Sequence, residues 1–131
     1  MERPSWDLYF INIAREVASR ATCPRGTVGA IIVRDNRILS TGYNGALPGK
    51  LHCTEIGCLM INGHCERTVH AETNAVAQAA KFGTSLDGAT LYMWGNVDIS
   101  VCTKCSQVIK TAGMVRQVVE TAGSIIYESI V

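Results

Sequence analysis

The strongest constraint on this chain is a change of hydrophobic period along its length. Residues 27–34 form a short, apolar, β-branched run, and Asp35-Asn36 separates it from a second run at 37–41. Two such runs joined by a two-residue turn predict a β-hairpin. Ahead of it, residues 5–20 place Trp6, Tyr9, Phe10, Ile13, Ala14, Val17 and Ala18 on one face of a helix, with Ser5 suited to cap the first turn. Trp6, Tyr9 and Phe10 are expected to be core residues. After the hairpin come an alanine-rich helix at 68–82, a strand at 89–94, a helix at 102–112 and strands at 115–119 and 124–131. That alternation predicts an α/β fold: a mixed five-stranded sheet flanked by helices, with later strands joined through helical crossovers. Residues 42–63 carry Gly42, Gly45, Gly49, Gly57 and Gly63 without a sustained period and read as a long functional or tied-down loop.

Composition sets the remaining bounds. A chain of 131 residues, 47% hydrophobic and 18% charged, fits one domain over 1–131 with a core that needs no disulfide staples. A formal net charge of +1 supplies no global field for a nucleic-acid duplex or an anionic membrane, so neither is an expected partner and any phosphate must be met locally. The N-terminus has no secretory pattern, and the longest apolar run, 28–33, is far short of the ~20 residues a bilayer span requires. The expected location is cytoplasmic. In a reducing compartment, six cysteines at short spacings read as metal ligands or redox groups rather than disulfides.

Two short pieces carry chemistry. His70-Ala71-Glu72 opens one predicted helix and Cys102-Thr103-Lys104-Cys105 opens the next. Cysteines three apart at a helix start present both sulfurs on one side of the first turn, where unpaired backbone N–H groups favour thiolates. One imidazole and two thiolates leave a place open on a tetrahedral Zn²⁺, the mark of a catalytic site. The metal brings the pKa of a bound water toward neutrality, so that a hydroxide nucleophile exists at physiological pH. Glu72, two residues past the His and not itself a ligand, then suits a proton shuttle. His-x-Glu followed by Cys-x-x-Cys is the layout of the zinc nucleobase deaminases.

The run Arg67-Thr68-Val69-His70-Ala71-Glu72-Thr73-Asn74-Ala75, with Gly42-Tyr43-Asn44-Gly45 upstream and Cys102-x-x-Cys105 downstream, resembles the deoxycytidylate (dCMP) deaminase family. It is most similar to the bacterial competence-operon proteins of that family. The resemblance implies a cytidine deaminase-like α/β/α sandwich and hydrolysis of dCMP to dUMP and ammonia. It makes His70, Cys102 and Cys105 the zinc ligands and Glu72 the shuttle, and it places Asn44 in the nucleotide pocket against the sugar. Tyr43 and Ala71, within the same motifs, are further substrate contacts. Regulated members imply dCTP as activator and dTTP as inhibitor, and the family implies a homo-oligomer. For the phosphate, Arg25, Lys50, Arg67 and Lys104 are candidates by chemistry, with Arg67 favoured because a guanidinium fork suits phosphate oxygens.

Cys23, Cys53, Cys58 and Cys65 remain, the number a closed structural zinc site needs. Such a site would fasten the 42–63 loop to the body of the domain. By resemblance to phage-type members His64 competes with Cys65 for a place, and His52 is a weaker candidate. The family pattern also has a proline directly before the first metal-binding cysteine. Segment 94–101 has none, is longer than the family spacing, and is followed by a shortened C-terminal portion. Those departures keep two alternatives open: deamination of another amino-heterocycle, or a zinc-binding assembly module with weakened catalysis. Trp94 is either a base-stacking or a core residue.

Overall fold

The computed structural model describes residues 2–45, 50–61, 64–65, 70–97, 99, 103–121 and 123–130, apart from the side chains of 53, 61, 64, 65 and 103–105. The first helix, α1 (Trp6–Ala18), starts where Ser5 Oγ accepts a hydrogen bond from the Leu8 N–H at 3.1 Å. It buries Phe10, Ile11, Ala14 and Ala18. Trp6 and Tyr9, expected in the core, are instead about half exposed at its edge, where Trp6 stacks on Phe10 with ring centroids 5.6 Å apart.

Strands β1 (Val28–Arg34) and β2 (Arg37–Tyr43) form the predicted hairpin. Asp35 and Asn36 take φ of 53° and 57°, the left-handed pair that matches a two-residue turn to the strands' twist. The ladder skips a residue at Leu39, between the pairs Ile32↔Ser40 and Val33↔Ile38. β2 runs on through Gly42 and Tyr43, which the sequence reading had placed in the following loop. That loop is not structureless: it contains α2 (Cys53–Ile56) and β3 (Met60–Ile61), which pairs with β4 (His64–Cys65) just past the loop's end.

Next come α3 (Ala71–Lys81), β5 (Thr90–Gly95), α4 (Thr103–Thr111), β6 (Arg116–Thr121) and β7 (Ser124–Ser129). The main sheet has the order β2-β1-β5-β6-β7. Among the described residues only β5 and β6 pair in parallel, because α4 carries the chain back across the sheet; β6 and β7 close as an antiparallel hairpin. This is the expected mixed five-stranded sheet.

Alternation along the central strands divides the core in two. Ile31, Tyr92 and Val118 face α1 with Phe10 and Ile11. Ala30, Ile32, Leu91, Met93 and Val119 face the other way, against Ala71, Ala75 and Ala79 of α3 and Ile109 of α4. The layers are therefore α1, sheet, and α3 with α4. Because β1 is antiparallel to β5, its start meets the C-terminal ends of β5 and β6. A crevice beyond the carboxyl ends of strands, where helices begin, is the usual place for a ligand in such a sheet.

Candidate active site

His70 is the N-cap of α3, with extended backbone (φ −65°, ψ 150°), and its side chain does not cap the helix. Its Nδ1 instead lies 3.4 Å from Oε1 of Glu72, a carboxylate that is only 4% exposed. The imidazole is about half exposed. Three features of β2 hold this helix start. At Gly42 an added Cβ would lie 2.5 Å from the Ala75 nitrogen, so only glycine lets the first turns of α3 settle onto the strand. Ser40 Oγ donates to the Ala75 carbonyl at 2.6 Å, and Asn74 Nδ2 donates to the Tyr43 carbonyl at 2.8 Å. Ala71 is buried in this contact.

Asn44, expected against the sugar, uses its amide to organise the neighbouring turn. Its Oδ1 accepts from the Val28 N–H and its Nδ2 donates to the Gly26 carbonyl, both at 2.8 Å. Its backbone carbonyl accepts from the Thr22 N–H at 3.2 Å. The Gly-Tyr-Asn-Gly motif thus ties the end of β2 to the 22–28 segment at the end of the sheet where α3 begins. Tyr43 is partly buried there.

Cys102 and Arg67 lie outside the described residues. Cys105 falls in the first turn of α4, which begins at Thr103, directly after Cys102 in the chain. α4 and α3 share a face of the sheet and start at the same end. Among the described residues no three His, Cys, Asp or Glu side chains gather, and these include neither sulfur of the Cys-x-x-Cys pair. The chemistry of the donor set, one imidazole and two thiols, suits Zn²⁺.

A second grouping surrounds Cys23, which is buried. Thr22 Oγ1 lies 3.0 Å from His52 Nδ1, next to Cys53 at the start of α2. Arg25 Nη1 lies 3.4 Å from the sulfur of Met60, and Met60 pairs with Cys65 across the β3–β4 ladder. The turn holding Cys23, the start of α2 and the small hairpin of His64 and Cys65 are therefore neighbours.

Trp94 packs with the α1-side core, with Arg15 Cζ 5.6 Å from its ring centroid. It faces away from α3 and α4, as a packing residue does. A groove of about 440 Å³ runs along the edge strand between β2 and α3, lined by residues including Ile38, Ser40, Asn74, Gln78 and Phe82. Neither His70 nor Glu72 lines it, so it is separate from the His70–Glu72 pair. Sequence reading missed Ser40 and Asn74 as supports of the site. Asn74 stood within the quoted motif, four residues past His70 and hence on the same side of the helix, and that spacing was the available signal.

Comparison with known proteins agrees with this arrangement. Residues 4–121 match the family model described as the cytidine and deoxycytidylate deaminase zinc-binding region. The chain is 49% identical over 114 residues to ComE operon protein 2 of Bacillus subtilis, covering 87% of this chain and 58% of that protein. It is 38% identical over 129 residues to the deoxycytidylate deaminase of Mycobacterium phage D29, covering 90% of this chain and 96% of that one. Its fold superposes on the crystal structure of dCMP deaminase from cyanophage S-TIM5 in complex with dCMP and dUMP, with a TM-score of 0.73 and 29% identity over 89% of this chain and 82% of that chain. A family match across nearly the whole chain, with His-Ala-Glu at the start of α3 and a Cys-x-x-Cys sequence where α4 follows, places this protein in the cytidine and deoxycytidylate deaminase family.

Proposed function

We propose that this chain is a zinc-dependent hydrolase converting dCMP and water into dUMP and ammonia, with residues 1–131 acting as one deaminase domain. The observation that carries the reading is the buried Glu72 carboxylate beside His70 at the start of α3, at the sheet end where α4 also begins. His70, Cys102 and Cys105 hold the metal. Zinc, when bound, supplies Lewis acidity and a water of lowered pKa. Glu72 takes the proton from the attacking water, passes it to N3 of the pyrimidine, and delivers a second to the exocyclic nitrogen as it departs from C4. Burial suits that work, because a carboxylate shielded from bulk water exchanges protons with the reacting atoms rather than with solvent. Asn44, Tyr43 and Ala71 shape the nucleotide pocket, and Arg67 meets the phosphate.

The convergence of the Cys23 turn, the start of α2 and the β3–β4 pair supports a second, structural zinc held by Cys23, Cys53, Cys58 and Cys65, with His64 as the alternative ligand. A cytoplasmic homo-oligomer responsive to dCTP and dTTP belongs to the same reading. A second substrate reading, another amino-heterocycle, draws on segment 94–101, which lacks the family proline. Ammonia release from dCMP, dCTP, deoxycytidine and cytosine, beside a Glu72→Ala control, separates the substrates. Activity on dCMP that vanishes in the control is expected. Zinc bound without activity on any of the four would overturn the enzymatic assignment in favour of an assembly module. Metal analysis giving two zincs per chain is expected, and one would remove the structural site.

A further inference from the structure

The chain between β5 and α4 has no proline to set its course, yet its described residues are held at both ends. Asn96 continues the β1–β5 ladder past its last pair: its N–H donates to the Thr27 carbonyl at 3.1 Å, and its Oδ1 accepts from the Thr27 N–H at 2.8 Å. Gly95 leaves room for Ile99 to close over the strand end, since a Cβ there would lie 2.5 Å from Ile99 Cδ1. Ile99 thereby joins the core shared with α3 and α4.

Thr121, the last residue of β6 and the parallel partner of Gly95, supplies the second hold. Its hydroxyl donates to the Val97 carbonyl and accepts from the Ile99 N–H, both at 2.9 Å. The residue is only 9% exposed, and its buried hydroxyl spends its single donor on Val97 and an acceptor lone pair on Ile99. Cys102 follows three residues after Ile99.

We propose that Thr121, assisted by Asn96, is a positioning residue for metal binding: its hydroxyl fixes Val97 and Ile99, the described residues that lead in sequence toward Cys102 and Cys105, and the affinity for the metal depends on that hold. In this chain a tertiary hydrogen-bond clamp does what a fixed proline φ does where one precedes the first cysteine. The inference rests on the zinc reading above.

The test uses the full chain, freed of metal and titrated with Co²⁺, whose thiolate-to-metal absorption reports the sulfur ligands, followed by zinc competition against a chelator. Thr121→Val keeps the shape and loses both hydrogen bonds. It is expected to bind metal about tenfold more weakly and to show a weakened thiolate band, with unchanged far-ultraviolet dichroism. Thr121→Ser is expected to restore both. Asn96→Ala, an exposed position, is expected to weaken binding in the same direction, and it carries the test should the valine variant not fold. Wild-type affinity and spectrum in both Thr121→Val and Asn96→Ala would overturn the inference while leaving the zinc reading intact. A serine variant as weak as a folded valine variant would overturn it too. A wild-type chain that takes up neither metal would overturn the zinc reading, and this inference with it.

Discussion

Glu72 combines properties that ordinarily exclude one another: it is an acidic side chain, it is nearly buried, and it lies in the first turn of a helix. Helix N-termini favour negative charge, which offsets part of the desolvation cost and keeps a carboxylate there usable. Glu72→Gln retains the shape and removes the proton acceptor. The expected result is a fall in kcat of at least about 100-fold, with bound zinc unchanged, read from dUMP formation and metal content on the same sample. A fall smaller than tenfold would reassign the proton transfer to another group. The closeness of His70 and Glu72 was legible from sequence, because two residues of spacing at a helix start leave few arrangements. Ser40 and Asn74 were not legible, since their value lies in reaching the Ala75 and Tyr43 carbonyls across a contact that only the packed fold creates.

Between elements, the decisive contact is α3 on β2. Gly42 sits where Ala75 backbone atoms approach within 2.5–3.0 Å of an added Cβ, and backbone cannot move aside as a side-chain tip can. Gly42→Ala is therefore expected to push the start of α3 off the strand and cost about 1–3 kcal/mol. The loss of activity should exceed what that cost explains, because His70 and Glu72 move with the helix. Urea denaturation and kcat measured together check both parts. At this scale much of the sequence reading holds. The hairpin was foreseen because Asp35-Asn36 admits the left-handed turn, and helical period located α1, α3 and α4 to within a few residues. Two misreadings have physical causes. Trp6 and Tyr9 have core spacing but flank the true contact, where α1 meets β1 at Gly29 and small Ala14 and Ala18 are what fit. The β3–β4 pair was invisible because each strand has two residues, too few for any period to register; it exists through cross-strand pairing.

Across the whole molecule, one polar cluster ties α1 to the far half of the sheet. Asp7 accepts from Arg116 through both oxygens, at 3.1 and 2.8 Å, and from the Tyr92 hydroxyl at 2.6 Å, while Arg116 also lies over the Tyr127 ring. The Arg116 hydrogen bonds hold the Asp7 carboxyl below its ordinary value against an opposing contribution from burial. Burial first, then Asp7, pushes Tyr92 up to about 12. A lowered carboxyl contributes stability that is present above about pH 4 and lost as pH falls through the folded value. A raised phenol contributes stability that is complete below about pH 10 and lost as pH climbs toward about 12. Asp7→Asn is expected to cost about 1–2 kcal/mol near neutrality and to narrow its gap from wild type on acidification. Tyr92→Phe should narrow its own gap at the alkaline end. Melting temperature against pH for the three proteins checks this, and parallel curves would deny the cluster any titrating role. Metal removal acts on the same scale: chelation is expected to lower the melting temperature, and zinc in excess to restore it, since a ligand bound only by the folded state adds to its stability.

The sequence by itself determined the order of the main helices and strands, the mixed sheet and the family, because period, turn residues and motif spacing are local quantities. Tertiary structure alone decided which helix face is buried, how β2 holds α3, how Thr121 holds Val97 and Ile99, and that Asn44 braces the 22–28 turn. Each of these depends on hydrogen bonds or close backbone approaches between segments distant in the chain, and no local pattern records which carbonyl a serine, threonine or asparagine will find.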